Sequence, residues 1–236
     1  MTSFNVEYLS NLAQEGKQAL DANLRSELNC DGQAWRLEFT TPSLGLNVYS
    51  SVAIGSSLRR FKGECIIRDF SPKQVYAVVS NDAGRTTWDR NVSIVESTTI
   101  SEDENHRLFV IHCGTKQIGP IAARDFVDCI LCLYKEDGSI ECGGVGLSDA
   151  ELTGNCQSIY EVLPNHIRAF NHKGSGWTFE HDGSGGTKAT MFIHVDLKGW
   201  FLPVIINKAV GGSFTSFFQD LRGALRNVGA STEATS

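Results

Sequence analysis

The stretch HVDLKGWFLPVIINKAVGGSFTSFFQDL, residues 194–221, decides the fold of this chain. It begins like the end of a strand, is interrupted at Gly199 and Pro203, and then continues with the spacing of a helix. Polar residues occupy one side of this segment, and the apolar residues that recur at intervals of three and four are Ile206, Ala209, Val210, Phe214, Phe217, Phe218, Leu221, Ala224, Leu225 and Val228. This pattern is typical of an amphipathic helix. We therefore predict a long C-terminal helix that buries three phenylalanines.

Length and composition indicate one globular domain without a broad basic surface. The chain has 236 residues, of which 41% are apolar and 20% charged, and this suffices for a sizeable core. The net charge of -6 argues against nucleic acid as a partner, because such binding uses many phosphate contacts. MTSFNVEYLS does not read as a leader, and the longest apolar run, residues 200–206, is too short to span a bilayer. We expect a cytoplasmic protein with one domain over residues 1–228 and a disordered tail over residues 229–236.

The seven cysteines are scattered without the spacing of a zinc site. Their odd number fits a reducing compartment better than a disulfide framework, so we expect buried free thiols. The one C-x-x-C pair, Cys129 and Cys132, lies in FVDCILCLY, which reads as a strand. Because residues three apart on a strand point to opposite faces, we expect that these two thiols neither pair nor share a metal.

Helical and strand patterns alternate along the rest of the chain. Residues 6–27 have the spacing of an amphipathic helix. The segment SPKQVYAVVS starts a second helix, with Ser71 as N-cap, Pro72 in the first turn and Gln74 placed for a capping box. Segments with strand patterns are WRLEF, LNVYSSVA, FKGECIIRD and residues 92–100, 106–115, 126–135, 139–146, 167–172, 177–180 and 189–196. The chain is therefore predicted to form a single α+β domain.

Both faces of the strand FVDCILCLY are apolar, although an antiparallel sheet commonly leaves one face to water. Strands curled around one helix can bury both faces as ordinary core, or they can enclose a cavity lined by apolar side chains. The pattern alone leaves these two alternatives open.

An ordered set of motifs resembles a known family. The motifs are FKGECII before the capped helix, WDRNV at 88–92, ARDFVD at 123–128, IRAFNH at 167–172 and HVDLKGW before the last helix. Over about residues 5–227 they resemble the START (StAR-related lipid transfer) domain. The segments RDFVD, YKEDGSI and FNH are most similar to the short branch of that family whose members carry cholesterol, oxysterols or bile acids.

The resemblance implies a helix-grip fold, in which a curved antiparallel sheet surrounds the long C-terminal helix and leaves an internal tunnel for one lipid molecule. By count from the segment IIN, Phe217 matches a position of the family that faces the tunnel. The resemblance also implies that the last helix and the loop at residues 115–123 gate the tunnel.

The chain departs from the family pattern at the polar end of the tunnel. In StAR-type sterol carriers a buried carboxylate and an arginine lie there, and the matching residues here are Ile111 and Ile130. Asp128 is in register with Ile130 along the strand, and it is our candidate acceptor for a ligand hydroxyl, since an unpaired buried carboxylate is costly. The alternative is an Asp in a surface or structural ion pair. Arg168 and His172 are its candidate partners.

The sequence thus predicts a monomeric, non-enzymatic carrier that binds one lipid of sterol type and contacts membranes transiently, without cofactor or metal. The predicted lipid-binding residues are Phe109, Ile111, Asp128, Ile130, Arg168, Val210, Phe214, Phe217 and Leu221. One alternative is a carrier of phospholipid, ceramide or carotenoid. A second is an enzyme that acts on the bound lipid, with His112 and His194 as the residues to test. A third is a module in which the lipid controls a protein contact.

Overall fold

The computed structural model describes residues 4–24, 28–29, 31–56, 58–155, 160–199 and 203–233. Within these residues it contains a ten-stranded sheet, a two-stranded sheet and five α-helices. The predicted α+β architecture, a curved antiparallel sheet with a long C-terminal helix, is confirmed.

The sheet is built almost entirely of antiparallel neighbours. Its strands are β1 Arg36–Thr41, β2 Leu46–Val52, β3 Arg59–Ile67, β4 Val92–Glu102, β5 His106–Thr115, β6 Arg124–Tyr134, β7 Ile140–Gly146, β8 Ile167–Arg168, β10 Ser175–His181 and β11 Thr187–Ile193. The spatial order is β1-β2-β3-β11-β10-β7-β6-β5-β4, and β8 pairs in parallel with β6. Two short strands, β9 Phe170–Asn171 and β12 Val195–Asp196, pair with each other. The predicted strands at 167–172 and 189–196 are therefore each divided in two.

The helices are α1 Val6–Leu24, α2 Pro72–Val79, α3 Asp82–Trp88, α4 Asp149–Asn155 and α5 Pro203–Glu233. The predicted capping box of α2 is confirmed, because the backbone N–H of Gln74 donates to Ser71 Oγ at 3.4 Å and that of Ser71 donates to Gln74 Oε1 at 2.9 Å. The sequence patterns did not predict α3 and α4. The predicted last three residues of α1, 25–27, lie outside the described residues.

The C-terminal helix α5 continues to Glu233 and so enters the segment 229–236 that the sequence predicts to be a disordered tail. Gly229 costs only about 1 kcal/mol in a helix relative to alanine, and each added residue gains a hydrogen bond. Residues 234–236 lie outside the described part of the chain. The domain limits therefore stay a prediction.

The apolar side of α5 packs onto the sheet and forms the main core. Phe214 has no exposed surface, and its ring lies over Gly63 of β3, where a Cβ atom would stand 2.2 Å from Phe214 Cδ1. Gly63 therefore lets the helix approach the sheet closely. Other fully or nearly fully buried members of this core are Leu46, Cys65, Cys132, Phe179, Ala189, Phe218, Leu221 and Leu225.

The helix α1 covers the other face of the sheet and forms a second core with Leu108, Val110, Val127, Cys129 and Leu147. Gly16 of α1 lies directly on β7, where a Cβ atom would stand 2.6 Å from the backbone oxygen of Gly144. The strand β7 is buried along its whole length. One face of β7 therefore contacts α1, and its other face belongs to the side of the sheet on which α5 packs.

The cysteines partly contradict the expectation of free thiols. Cys129 belongs to the core under α1 and Cys132 to the core under α5, which confirms that these two side chains point to opposite faces. However, Cys132 forms a disulfide with Cys142, its direct partner in the register of β6 and β7. The turn between these strands sets this register, and the expectation of free thiols did not take the turn into account.

Among the described residues, no helix has the length and apolar character needed to cross a membrane.

Candidate ligand-binding cavity

A cavity of about 320 Å³ lies between α5, the inner face of the sheet and the loop that follows β5. Such a volume is at the lower end of the range for small-molecule sites. Its apolar wall includes Ile111, Ile121, Phe126, Ile130, Trp177, Met191, Ile193, Val210 and Phe217. The inner face of the strand FVDCILCLY therefore borders a cavity as well as packed core, so each of the two alternatives for this strand applies to part of it.

Asp128 borders this cavity from β6. Its Oδ2 accepts a hydrogen bond from Asn171 Nδ2 at 2.9 Å, and its Oδ1 is buried with no hydrogen-bond partner among the described residues. Burial raises the pKa of Asp128 to about 6, against the lowering effects of Asn171 and Arg168. Rotation about the terminal torsion of an Asp side chain is soft, so either oxygen can turn toward a ligand. The carboxyl group can therefore accept a hydrogen bond when ionised and donate one when protonated.

The predicted partners of Asp128 bind other groups. Arg168 Nη1 lies 2.9 Å from Asp125 Oδ1, and Arg168 Nη2 donates to the carbonyl of Tyr160 at 2.6 Å. His172 stacks on another histidine, His194, with ring centroids 4.3 Å apart. Within the described part of the chain, Asp128 is in no ion pair. The alternative of a structural ion-pair Asp is therefore not what the structure shows.

A second polar group reaches the cavity from α3. Arg85 and Asp89 both line it, and Arg85 Nε donates to Asp89 Oδ2 at 3.3 Å. The Arg85 guanidinium also lies over the rings of Trp88 and Phe217, at 5.9 and 5.3 Å from their centroids. Asp89 Oδ1 accepts from the backbone N–H of Asn91 at 3.1 Å, so both oxygens of this buried carboxylate are occupied. Among the described residues no acceptor binds the two terminal amino groups of Arg85.

Aromatic side chains join α5 to the sheet beside the cavity. Phe217 contacts Trp177 of β10 at 4.8 Å between centroids and Trp88 at 5.6 Å. Aromatic pairs at such distances contribute about 0.5–1.5 kcal/mol beyond the area they bury. These contacts hold the middle of α5 against β10 and α3 and thereby fix one wall of the cavity.

Arg124 fixes the loop that closes one side of the cavity. It is almost fully buried at the start of β6 and lies at the end of the predicted gating loop, residues 115–123. Its guanidinium donates to the carbonyls of Leu197 at 2.5 Å, Ala122 at 2.7 Å and Lys198 at 3.2 Å. Burial lowers the pKa of Arg124. One side chain thus ties this loop to the segment that precedes α5.

The structure brings together part of the predicted lipid-binding set. The predicted residues in the cavity wall are Ile111, Asp128, Ile130, Val210 and Phe217. The described wall does not include Phe109, Arg168, Phe214 or Leu221. Lipid binding by the five residues in the wall stays a prediction.

Each of the four residues outside the wall has another role in the fold. Phe109 belongs to the main core, and its ring contacts the guanidinium of Arg107. Arg168 is held by Asp125, and Phe214 and Leu221 are fully buried between α5 and the sheet. The apolar stripe of α5 is longer than the cavity, so most of it contacts packed core.

Sequence reasoning missed Arg85, Asp89 and Asn171. The motif WDRNV, which contains Asp89, was the signal for the first pair. His112 and His194, the candidates for enzyme chemistry, are not among the wall residues described. His112 Nε2 bonds to Asp125 Oδ2 at 2.8 Å, and His194 Nδ1 lies 3.0 Å from an Arg60 amino group. The described residues also contain no group of side chains suited to hold a metal ion.

Known proteins match nearly the whole chain. The sequence model of the START domain matches residues 17–231. The StAR-related lipid transfer protein 5 of Bos taurus is 26% identical over 201 residues, which cover 83% of this chain and 88% of that protein. The StAR-related lipid transfer protein 6 of Homo sapiens is 21% identical over 201 residues, covering 84% of this chain and 85% of that protein.

Solved structures share the architecture. The human StAR-related lipid transfer protein 5 has a TM-score of 0.79 at 21% identity, covering 94% of this chain and 98% of that one. A fragment of the STAR-related lipid transfer protein from Xanthomonas axonopodis has a TM-score of 0.62 at 20% identity, covering 81% and 98%. The predicted helix-grip fold is thereby confirmed. Because the family model spans most of its residues, the chain belongs to the START domain family.

Proposed function

We propose that the protein is a non-enzymatic carrier that binds one sterol-like lipid in its internal cavity and transfers it between membranes. The observation that carries the proposal is the apolar cavity that Asp128 borders with a desolvated carboxyl group, whose Oδ1 is unpartnered among the described residues. A mostly apolar ligand with one hydroxyl group fits this arrangement. The names of the related lipid transfer proteins support the same activity class.

Burial of apolar surface supplies the affinity for such a ligand. A sterol that hides about 300 Å² of apolar surface gains roughly 7 kcal/mol before the costs of ordering, at about 25 cal/mol per Å². A hydrogen bond between the ligand hydroxyl and Asp128 then fixes the orientation. It also removes the cost of a buried carboxyl oxygen without a partner. Transfer by this means requires no catalytic group.

The histidines support a carrier over an enzyme. His112 and His194 are buried, and each is engaged by a charged neighbour, Asp125 and Arg60 respectively. Neither is among the described cavity-wall residues. A general acid or base has to lie within hydrogen-bond reach of the reacting group. The carrier is therefore the function that the geometry supports best.

A second candidate, a carrier of phospholipid, is favoured by one observation. Arg85 lines the cavity, and arginine binds phosphate oxygens through two parallel hydrogen bonds. The charges of Arg85 and Asp89 cancel each other. An anionic headgroup would therefore bring an additional negative charge, and only the guanidinium nitrogens that Asp89 does not bind could compensate it. The sterol candidate uses Asp128, whereas the phospholipid candidate uses Arg85.

Native mass spectrometry of the full chain after incubation with a mixed lipid extract tests the proposal. We expect one intact sterol per protein molecule. A retained phospholipid would support the second candidate, and a chemically converted lipid would show an enzyme. Absence of any retained lipid would contradict the carrier in both forms.

Two substitutions separate the candidates. Asp128→Leu should weaken binding of a hydroxylated sterol by about 1.5–3 kcal/mol, the range for a hydrogen bond to a charged group, and should spare the same sterol without its hydroxyl. Arg85→Gln should leave both sterols unaffected and reduce only phospholipid retention. Isothermal titration with the matched sterols checks the first statement. Equal losses for the two sterols would mean that Asp128 does not bind the hydroxyl.

The proposal includes a cytoplasmic monomer that contacts membranes transiently. Light scattering of the purified chain measures the monomer mass, and fractionation of cells that express it shows the compartment. Dissociation from liposomes within the time of a flotation experiment would support transient contact, and stable retention on them would contradict it.

A further inference from the structure

Two cysteines face each other on neighbouring strands, and one of them lines the cavity. Cys132 of β6 and Cys142 of β7 are register partners with Cα atoms 4.0 Å apart, and they are joined by a disulfide. Cys142 lines the cavity, and on its other side it is the register partner of Trp177 in β10. Trp177 in turn contacts Phe217 of α5. The bond therefore lies within the set of contacts that shapes the ligand site.

The surroundings leave the cavity as the route to these sulfur atoms. Cys132 has no exposed surface and Cys142 is 6% exposed. On the outer side of the sheet α1 covers β7, and a Cβ atom on the adjacent Gly143 would stand 2.8 Å from Lys17 Cα. A small reagent reaches the pair from the cavity side, where Cys142 belongs to the wall.

We propose that Cys132 and Cys142 are a reversible redox pair, reached from the cavity through Cys142, which peroxide oxidises and a bound lipid shields. The shielding rests on the proposed lipid-binding function, whereas the oxidation does not. One thiol reduces hydrogen peroxide, becomes a sulfenic acid and releases a water molecule. The second thiol then displaces the hydroxyl of the sulfenic acid, which forms the S–S bond and releases a second water. Two electrons pass from the thiols to one peroxide molecule, and both thiol protons end in water.

Reduction changes the shape of the cavity wall. Two bonded sulfur atoms are about 2.05 Å apart, whereas unbonded heavy atoms pack at roughly 3.5–4.0 Å. Cys132 is enclosed by packed core, so the displaced atoms move toward the open side at Cys142. This movement narrows the cavity beside Trp177 and leaves less space for a bound lipid. We therefore expect the reduced protein to release lipid faster than the oxidised protein.

Peptide mapping tests the redox pair directly. The full chain is reduced, exposed to hydrogen peroxide, unfolded and alkylated with N-ethylmaleimide. We expect a cross-linked peptide that joins Cys132 to Cys142, with both residues protected from alkylation. Cys142→Ser removes the cross-link, while Cys65→Ser, a matched change at another buried cysteine, preserves it. Full alkylation of Cys132 and Cys142 after peroxide, or a cross-link from Cys142 to Cys113, would overturn the proposal.

The shielding is measured on the oxidised chain with dithiothreitol, with and without cholesterol delivered from cyclodextrin. We expect reduction to be severalfold slower in the sample in which native mass spectrometry shows bound cholesterol. Equal rates with cholesterol bound would overturn the shielding. If no lipid binds, the proposed function fails, and cross-linking in the lipid-free chain still decides whether the redox pair exists.

Discussion

Asp128→Asn should change how stability depends on pH, because burial raises the pKa of this carboxyl from 3.8 to about 6. Between these two values the folded protein holds a proton that the unfolded chain has lost. Stability therefore falls as the pH rises through this window, and the full cost of the buried charge is present above the folded pKa. Asparagine has nearly the same shape and does not ionise, so the variant is free of this cost.

The size of the effect follows from the pKa shift. A shift of about two units corresponds to about 3 kcal/mol, at 1.36 kcal/mol per unit. Part of the cost is already present at pH 4, so the variant should gain about 2 kcal/mol of unfolding free energy relative to the parent between pH 4 and pH 7.5. The difference between two pH values cancels any constant effect of the substitution on packing or on the hydrogen bond with Asn171.

Urea unfolding followed by tryptophan fluorescence at several pH values measures this change. Asp137→Asn is the control, since hydrogen bonds from Ser139 lower the pKa of the exposed Asp137. The control variant should lose stability relative to the parent as the pH rises, which is the opposite sign. A pH-independent difference for Asp128→Asn would mean that water reaches the carboxylate. A loss of stability with rising pH would mean that a cation neutralises it, and the argument for a desolvated acceptor would be refuted.

Three further predictions concern packing and membrane contact. Leu221→Ala should cost about 2–5 kcal/mol of unfolding free energy, because it opens a hole in closed core. Phe217→Ala should cost less than the 3–5 kcal/mol typical of a fully packed phenylalanine, since the Phe217 ring borders existing space. Full losses of stability for both variants, with lipid binding unchanged, would count against the cavity. Gly63→Ala should lower the free energy of unfolding by about 1–3 kcal/mol, because the new methyl group meets the Phe214 ring. Thermal unfolding measures this change, and an unchanged midpoint would contradict the prediction. Transfer between neutral liposomes should be about as fast as between anionic ones and depend weakly on salt, given the net charge of -6; a steep fall at moderate salt would reveal a basic docking patch.

Local patterns were sufficient to predict the elements that carry their own signal. The stripe of α5 and the capping box at Ser71 depend on residues three and four positions apart, and such spacing is visible in the sequence. The resemblance of the ordered motifs supplied the arrangement of sheet and helix. The short helix α3, DAGRTTW, contains a glycine, two threonines and no apolar repeat, so nothing local indicated it.

The site itself depends on tertiary contacts, which sequence patterns show only in part. Phe214 and Phe217 belong to the same stripe of α5, yet only Phe217 borders the cavity, because Phe214 lies over Gly63. Arg85 comes to the wall through the position of α3 against α5, which no spacing encodes. By contrast, the pairing of Cys132 with Cys142 was open to prediction, since both lie at equal distances from the centre of the hairpin turn.

The close contact between Gly16 and Gly144 means that only a single layer of backbone, that of β7, separates the helix α1 from the proposed ligand cavity. One face of β7 touches α1, and the residues of its other face, Cys142 and Gly144, line the cavity. A side chain added at Gly16 would press β7 inward and reduce the space for lipid, although it lies on the far side of the sheet. Variation on the outer helix is therefore a route by which ligand size can change while every cavity-lining side chain stays the same.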